Sequence, residues 1–60
     1  MIKKVTLNWY GQLHEFYTDA KTNDKAIANV LNRFAAIMKY TSYHVRQYYS
    51  TRSNAIKVEE

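Results

Sequence analysis

Residues 38–51 read MKYTSYHVRQYYST, and the period assigned to 43–49 decides the topology of the whole chain. As a strand, Tyr43, Val45, Gln47 and Tyr49 share a face that the glutamine interrupts. As a short helix capped by Thr41 or Ser42, Val45, Tyr48 and Tyr49 cluster on one side while Tyr43, Arg46 and Gln47 face outward. Tyrosine and valine favour strands, but the helical pattern is the cleaner of the two. The strand reading gives ββαββ. The helical reading gives ββααβ and is the expectation taken forward.

On the N-terminal side of this stretch the pattern is unambiguous. From Thr22 or Asn23, either a suitable N-cap, the apolar residues Ile27, Val30, Leu31, Phe34, Ile37 and Met38 fall on one side of a helix, with Ala26 and Ala35 at its borders. Lys25, Asn29, Asn32, Arg33, Ala36, Lys39 and Tyr40 occupy the other arc. Asp24 near the start and Lys39 near the end suit the helix dipole.

Residues 2–10 alternate instead. Val5, Leu7 and Trp9 lie on one side and Lys4, Thr6, Asn8 and Tyr10 on the other, the period of a half-buried strand. Gly11 permits the positive φ of a tight hairpin turn, at Tyr10-Gly11 or Gly11-Gln12. Residues 12–18 then continue with His14 and Phe16 on the face of Val5, Leu7 and Trp9. On the C-terminal side, TRSN reads as a loop and AIKVE as a last strand, with Ile56 and Val58 inward. The fold class expected is α+β: a small antiparallel sheet, made of an N-terminal hairpin plus a C-terminal strand, packed against one long amphipathic helix, with a second short helix at 43–50.

Sixty residues of 47% hydrophobic content, with one glycine, no proline and no repeat, make one small domain, 1–60, without a linker. The chain has no cysteine, so disulfides and thiolate zinc sites are excluded. That, with the absence of any apolar run long enough for a signal peptide or a membrane span, leads to the expectation of a soluble cytoplasmic protein with no membrane partner.

The net charge of +4 hides an asymmetry. Between Asp24 and Glu59 there is no carboxylate, while the segment carries Lys25, Arg33, Lys39, Arg46, Arg52 and Lys57. A basic half of this kind attracts polyanions, although scattered lysines and arginines also make an ordinary solvated surface. Chemistry has little to work with. His14 and Glu15 point to opposite faces of a strand and cannot act on one substrate atom. His14, on the face of Trp9, reads as a structural histidine, and one glycine cannot form a phosphate-cradling loop. The serines and threonines at 41, 42, 50, 51 and 53 read as caps and turns, with no base placed to activate them. The expectation is a non-enzymatic binding protein without cofactor or metal.

Two surfaces stand out. Lys39, Tyr43, Arg46 and Arg52 form the candidate nucleic-acid set, for DNA or RNA: cations for phosphates and a tyrosine to stack on a base. Tyr10, Leu13 and Tyr17, with Lys4 and Lys57, lie on the sheet face that no helix covers and form the candidate partner-binding set, for a homodimer or for docking on a larger protein. Tyr48 and Tyr49 are expected to pack, and Tyr40 and Tyr43 to be exposed.

Overall fold

The computed structural model describes residues 1–60 and has the order ββααβ: β1 Ile2–Trp9, β2 Gln12–Asp19, α1 Asn23–Met38, α2 Ser42–Ser50, a single 3-10 turn Ser53–Ala55, and β3 Ile56–Glu59. The strands form one antiparallel sheet in the order β2-β1-β3, with β1 central. Leu7 sits between His14 of β2 and Ile56 of β3, and Val5 between Phe16 and Val58. The helices cover one face of this sheet, and the other face is open.

Each element follows from its local sequence. The β1–β2 connection is the two-residue loop Tyr10-Gly11, both at positive φ, 51° and 85°, because this turn's twist matches that of the strands it joins. Asn8 Oδ1 accepts from Gly11 N–H at 2.9 Å and tightens it. Thr22 caps α1 by accepting from Lys25 N–H at 3.2 Å. Thr41 caps α2 by accepting from His44 N–H at 3.1 Å. Between the helices Lys39 adopts the left-handed conformation, φ 61°, and Tyr40 N–H reaches back to Ala35 O at 2.9 Å. This is the usual helix-ending motif. The chain's only glycine is used in the hairpin, so a lysine stands where glycine would be unstrained.

The core joins all layers: Val5, Leu7 and Trp9 from β1, Ala26, Val30, Leu31, Phe34 and Ala35 from α1, and Val45 and Tyr49 from α2. Phe34 is fully buried and meets Trp9, His14 and Phe16 edge to face, with ring centroids 5.3, 5.0 and 6.1 Å away. One expectation for α1 is corrected. Ile37 is 61% exposed, because it lies one turn beyond Arg33 on the flank overhanging edge strand β2, where Arg33 Nη1 donates to Tyr17 O at 3.0 Å. The apolar arc is wider than the sheet beneath it, and its centre therefore falls nearer Phe34 and Leu31.

Lys3 occupies the inward face of β1 and is almost wholly buried. Its stem covers apolar surface while its Nζ donates to Glu60 Oε1 at 2.6 Å, an amphipathic placement that keeps the charge paired. The same contact holds the Glu60 carboxyl below its ordinary range.

Candidate nucleic-acid and partner interfaces

The helical side is built around Trp9. Its indole touches six rings: Tyr48 at 4.4 Å, Tyr10 at 5.0 Å, Phe34 at 5.3 Å, Tyr40 at 5.7 Å, Tyr49 at 5.9 Å and His44 at 6.2 Å between centroids. Tyr49 is the buried anchor of α2, and its hydroxyl donates to Asn8 O at 3.0 Å. Burial first, and the neighbouring Tyr48 second, push the Tyr49 phenol up to about 12. The Tyr48 hydroxyl accepts from Tyr10 N–H at 3.1 Å. Together Tyr48 and Tyr49 pin α2 against the hairpin tip.

This cluster redirects one residue of the partner-binding set. Tyr10 is 70% exposed, but its ring lies 4.6 Å from that of Tyr48, on the helical side and away from Leu13 and Tyr17. Strand alternation placed it on the open face. The positive φ of the turn rotates its side chain out of that alternation, and the aromatic contacts take it up. Leu13 and Tyr17 do lie on the open face, 69% and 61% exposed, with Glu15 between them.

The nucleic-acid set surrounds α2 without forming a single line. Tyr43 is 71% exposed on the outermost ridge of the helix, the ridge that Gln47 continues one turn on. Arg46 lies on the flank toward α1, where Nη2 approaches Asn32 Oδ1 at 3.5 Å. Arg52 lies on the opposite flank, toward the hairpin tip. Its guanidinium sits over the Tyr48 ring, 4.4 Å from the centroid, and Nη1 donates to Tyr48 O at 3.0 Å. Lys39 stands in the turn before α2. Two elements of this arrangement were missed from the sequence. The Tyr48–Arg52 stack was not legible as a helical i, i+4 pair, because α2 ends at Ser50 and Arg52 lies beyond it in the segment read as a loop. The left-handed Lys39 was signalled by a helix end that has no glycine available.

The two sides differ in charge. On the open face Lys4 Nζ pairs with Glu15 Oε2 at 3.0 Å, which raises the Lys4 pKa through that hydrogen bond and the Glu15 charge. Lys57 alternates there with Glu59, register partners of Thr6 and Lys4. Three ion pairs occur in the molecule, and they involve the N-terminus, Lys3 and Lys4. Lys39, Arg46 and Arg52 have no carboxylate partner.

No three His, Asp or Glu side chains gather where they could hold a metal ion. No helix is long and apolar enough to cross a membrane. His14 packs edge-on against Phe34 with its Nε2 buried and unpaired, and His44 lies 5.0 Å from Tyr40 between ring centroids. Compared with known families, curated proteins and solved structures, the chain matches no family model, no curated protein and no solved structure.

Proposed function

We propose that this protein binds nucleic acid through the basic, tyrosine-bearing surface around α2. The observation that carries the reading is the grouping of cations around α2: Lys39, Arg46 and Arg52 stand there with no ion-pair partner in a segment without a carboxylate, whereas on the open sheet face Lys4 pairs with Glu15 and Lys57 alternates with Glu59. Unpaired cations grouped around one helix release condensed counterions when they meet phosphates, the main source of affinity for nucleic acid. Their distribution favours a duplex. Arg46 and Arg52 flank α2 on opposite sides, with Tyr43 and Gln47 on the ridge between, which fits a helix laid in a major groove with a phosphate strand on either side. A single strand would be tracked better by cations in one row.

Lys39 adds a second argument. A lysine held at positive φ is strained where glycine would be free, and strain of this kind persists where a side chain has a use. Here the use is a charge placed just before the N-terminus of α2.

The test is a fluorescence anisotropy titration of labelled duplex and single-stranded oligonucleotides over a range of salt. Log affinity falls linearly with log salt, by about 0.9 per phosphate neutralised on B-DNA and about 0.7 on a single strand. Lys39→Ala, Arg46→Ala and Arg52→Ala each flatten that slope by about one unit. Tyr43→Ala leaves the slope unchanged and weakens binding at every salt, by about 1–3 kcal/mol where the ring stacks on an unpaired base. Absence of binding to any oligonucleotide at low salt refutes the proposal.

A further inference from the structure

A second group of exposed apolar side chains lies along β2, apart from the tyrosines around α2. Leu13 and Tyr17 project from the open face of β2, and Ile37 overhangs the same strand from α1, each more than half exposed. Strand β2 is also an edge: eight residues long, paired on one side only. A long edge strand with apolar groups on both of its faces is a template for another strand, and proteins that keep such edges solvated blunt them with charge, proline or a bulge. Strand β2 contains no proline, its register with β1 is unbroken from Asp19 to Gln12, and its two charges, Glu15 and Asp19, are each paired, with Lys4 and with the N-terminus.

The hydrogen-bonding parity of this edge names the residues that are free. Ala20 N–H donates to Met1 O at 3.1 Å, and bonded and non-bonded positions alternate along an antiparallel ladder. Gln12, His14, Phe16 and Thr18 therefore turn their backbone groups toward β1, and Leu13, Glu15, Tyr17 and Asp19 turn theirs outward. Arg33 confirms the sense, since its guanidinium occupies the outward carbonyl of Tyr17 at 3.0 Å.

We propose that β2 pairs with β2 of a second copy of this chain, antiparallel, about a two-fold axis at Glu15, to give a continuous six-stranded sheet. About Glu15 this register pairs Leu13 with Tyr17 and Glu15 with itself, and sets Asp19 opposite Gly11 of the turn, so the same edge supplies donors and acceptors to its own copy. Leu13 N–H then takes the Tyr17 carbonyl of the second copy in place of Arg33. On the open face this register sets Leu13 against Tyr17 twice, covering both exposed apolar residues of the strand. On the helical face it brings the two α1 flanks together, so that each Ile37 can cover the stem of the other copy's Arg33. The charges are compatible but not ideal. Glu15 meets its own copy, a like-charge pair that opposes association, and Lys4 at 3.0 Å on each side offsets it. The interface leaves α2 free on both copies, so the proposal stands or falls independently of nucleic-acid binding.

Light scattering over a concentration series gives the mass directly, and the expected result is a monomer moving to a dimer as concentration rises. Leu13→Lys removes the dimer and leaves circular dichroism and melting unchanged, because that side chain contributes nothing to the core. Glu15→Gln tightens self-association several-fold, a gain specific to a contact of position 15 with itself. The chain has no cysteine, so cross-linking is clean. The Glu15→Cys variant oxidises to a disulfide-linked dimer, since opposite Cα atoms in a bonded antiparallel pair are about 5.5 Å apart, within disulfide reach. Thr6→Cys, on the same face but one strand inward, leaves its Cα atoms about 14 Å apart and does not cross-link. A protein that stays monomeric near millimolar concentration, with and without Glu15→Gln, overturns the proposal. So does equal cross-linking of the two cysteine variants, or an edge occupied only by an unrelated peptide.

Discussion

Replacing Phe34 by alanine tests the architecture at its most connected point. The ring is fully buried and touches residues of both hairpin strands, Trp9 on β1 and His14 and Phe16 on β2. Deleting a buried phenyl ring costs about 3–5 kcal/mol in transfer and cavity terms, and three edge-to-face partners place this site toward the upper end of that range. A chain of 60 residues has a total stability of roughly 3–9 kcal/mol at about 0.05–0.15 kcal/mol per residue. The variant is therefore close to unfolded at room temperature. At an unfolding entropy of about 2.1 cal/mol/K per residue, 60 residues melt roughly 8 °C lower for each kcal/mol lost, so the midpoint falls by roughly 24–40 °C. Circular dichroism melts and urea titrations read this directly. A companion variant, Phe16→Ala, loses less, because Phe16 is only half-buried and lies on an edge strand. A Phe34→Ala midpoint within a degree or two of wild type would refute a core that joins helix and hairpin through this ring.

Three further outcomes follow from particular groups. Lys39→Gly relieves the left-handed strain at the end of α1 and raises stability by about 0.5–1 kcal/mol while flattening the salt dependence of nucleic-acid binding; a lower melting midpoint would contradict the strain argument. Tyr49 has its phenol raised to about 12 from an unfolded value near 10, so its contribution is complete below about pH 10 and is lost as pH rises toward about 12. The loss is at most about 1.4 kcal/mol per pH unit and should be absent in Tyr49→Phe when urea midpoints are measured across that window. For the buried Lys3, Glu60→Gln lowers the melting midpoint by leaving an ammonium unpaired, and Lys3→Met in the same background restores it. Additive effects in that double-mutant cycle would show that the pair is uncoupled.

The sequence by itself determined which residues share a face within each element. Alternation in residues 2–9 and 12–19 and the 3.6-residue period of 23–38 are local properties, set by how side chains project from strand and helix. The ambiguous stretch 43–49 obeyed the same rule: Val45 and Tyr49 are buried and Tyr43 is exposed, as the helical period required and against the strand preference of tyrosine. The acid-free run from Lys25 to Val58 was equally plain. Tertiary structure decided how those faces meet, because that depends on partners distant in sequence. Tyr10 left the open face when the turn rotated it toward Tyr48, 38 residues away. Ile37 became exposed because the sheet beneath α1 ends at β2. Arg46 and Arg52 came to opposite flanks of α2 because one approaches Asn32 of α1 and the other lies over Tyr48 near the hairpin tip. The identity of β2 as the long unpaired edge rests on β3 choosing the other side of β1. Sequence periodicity repeats over two to four residues and carries no information about which distant strand or helix will lie alongside.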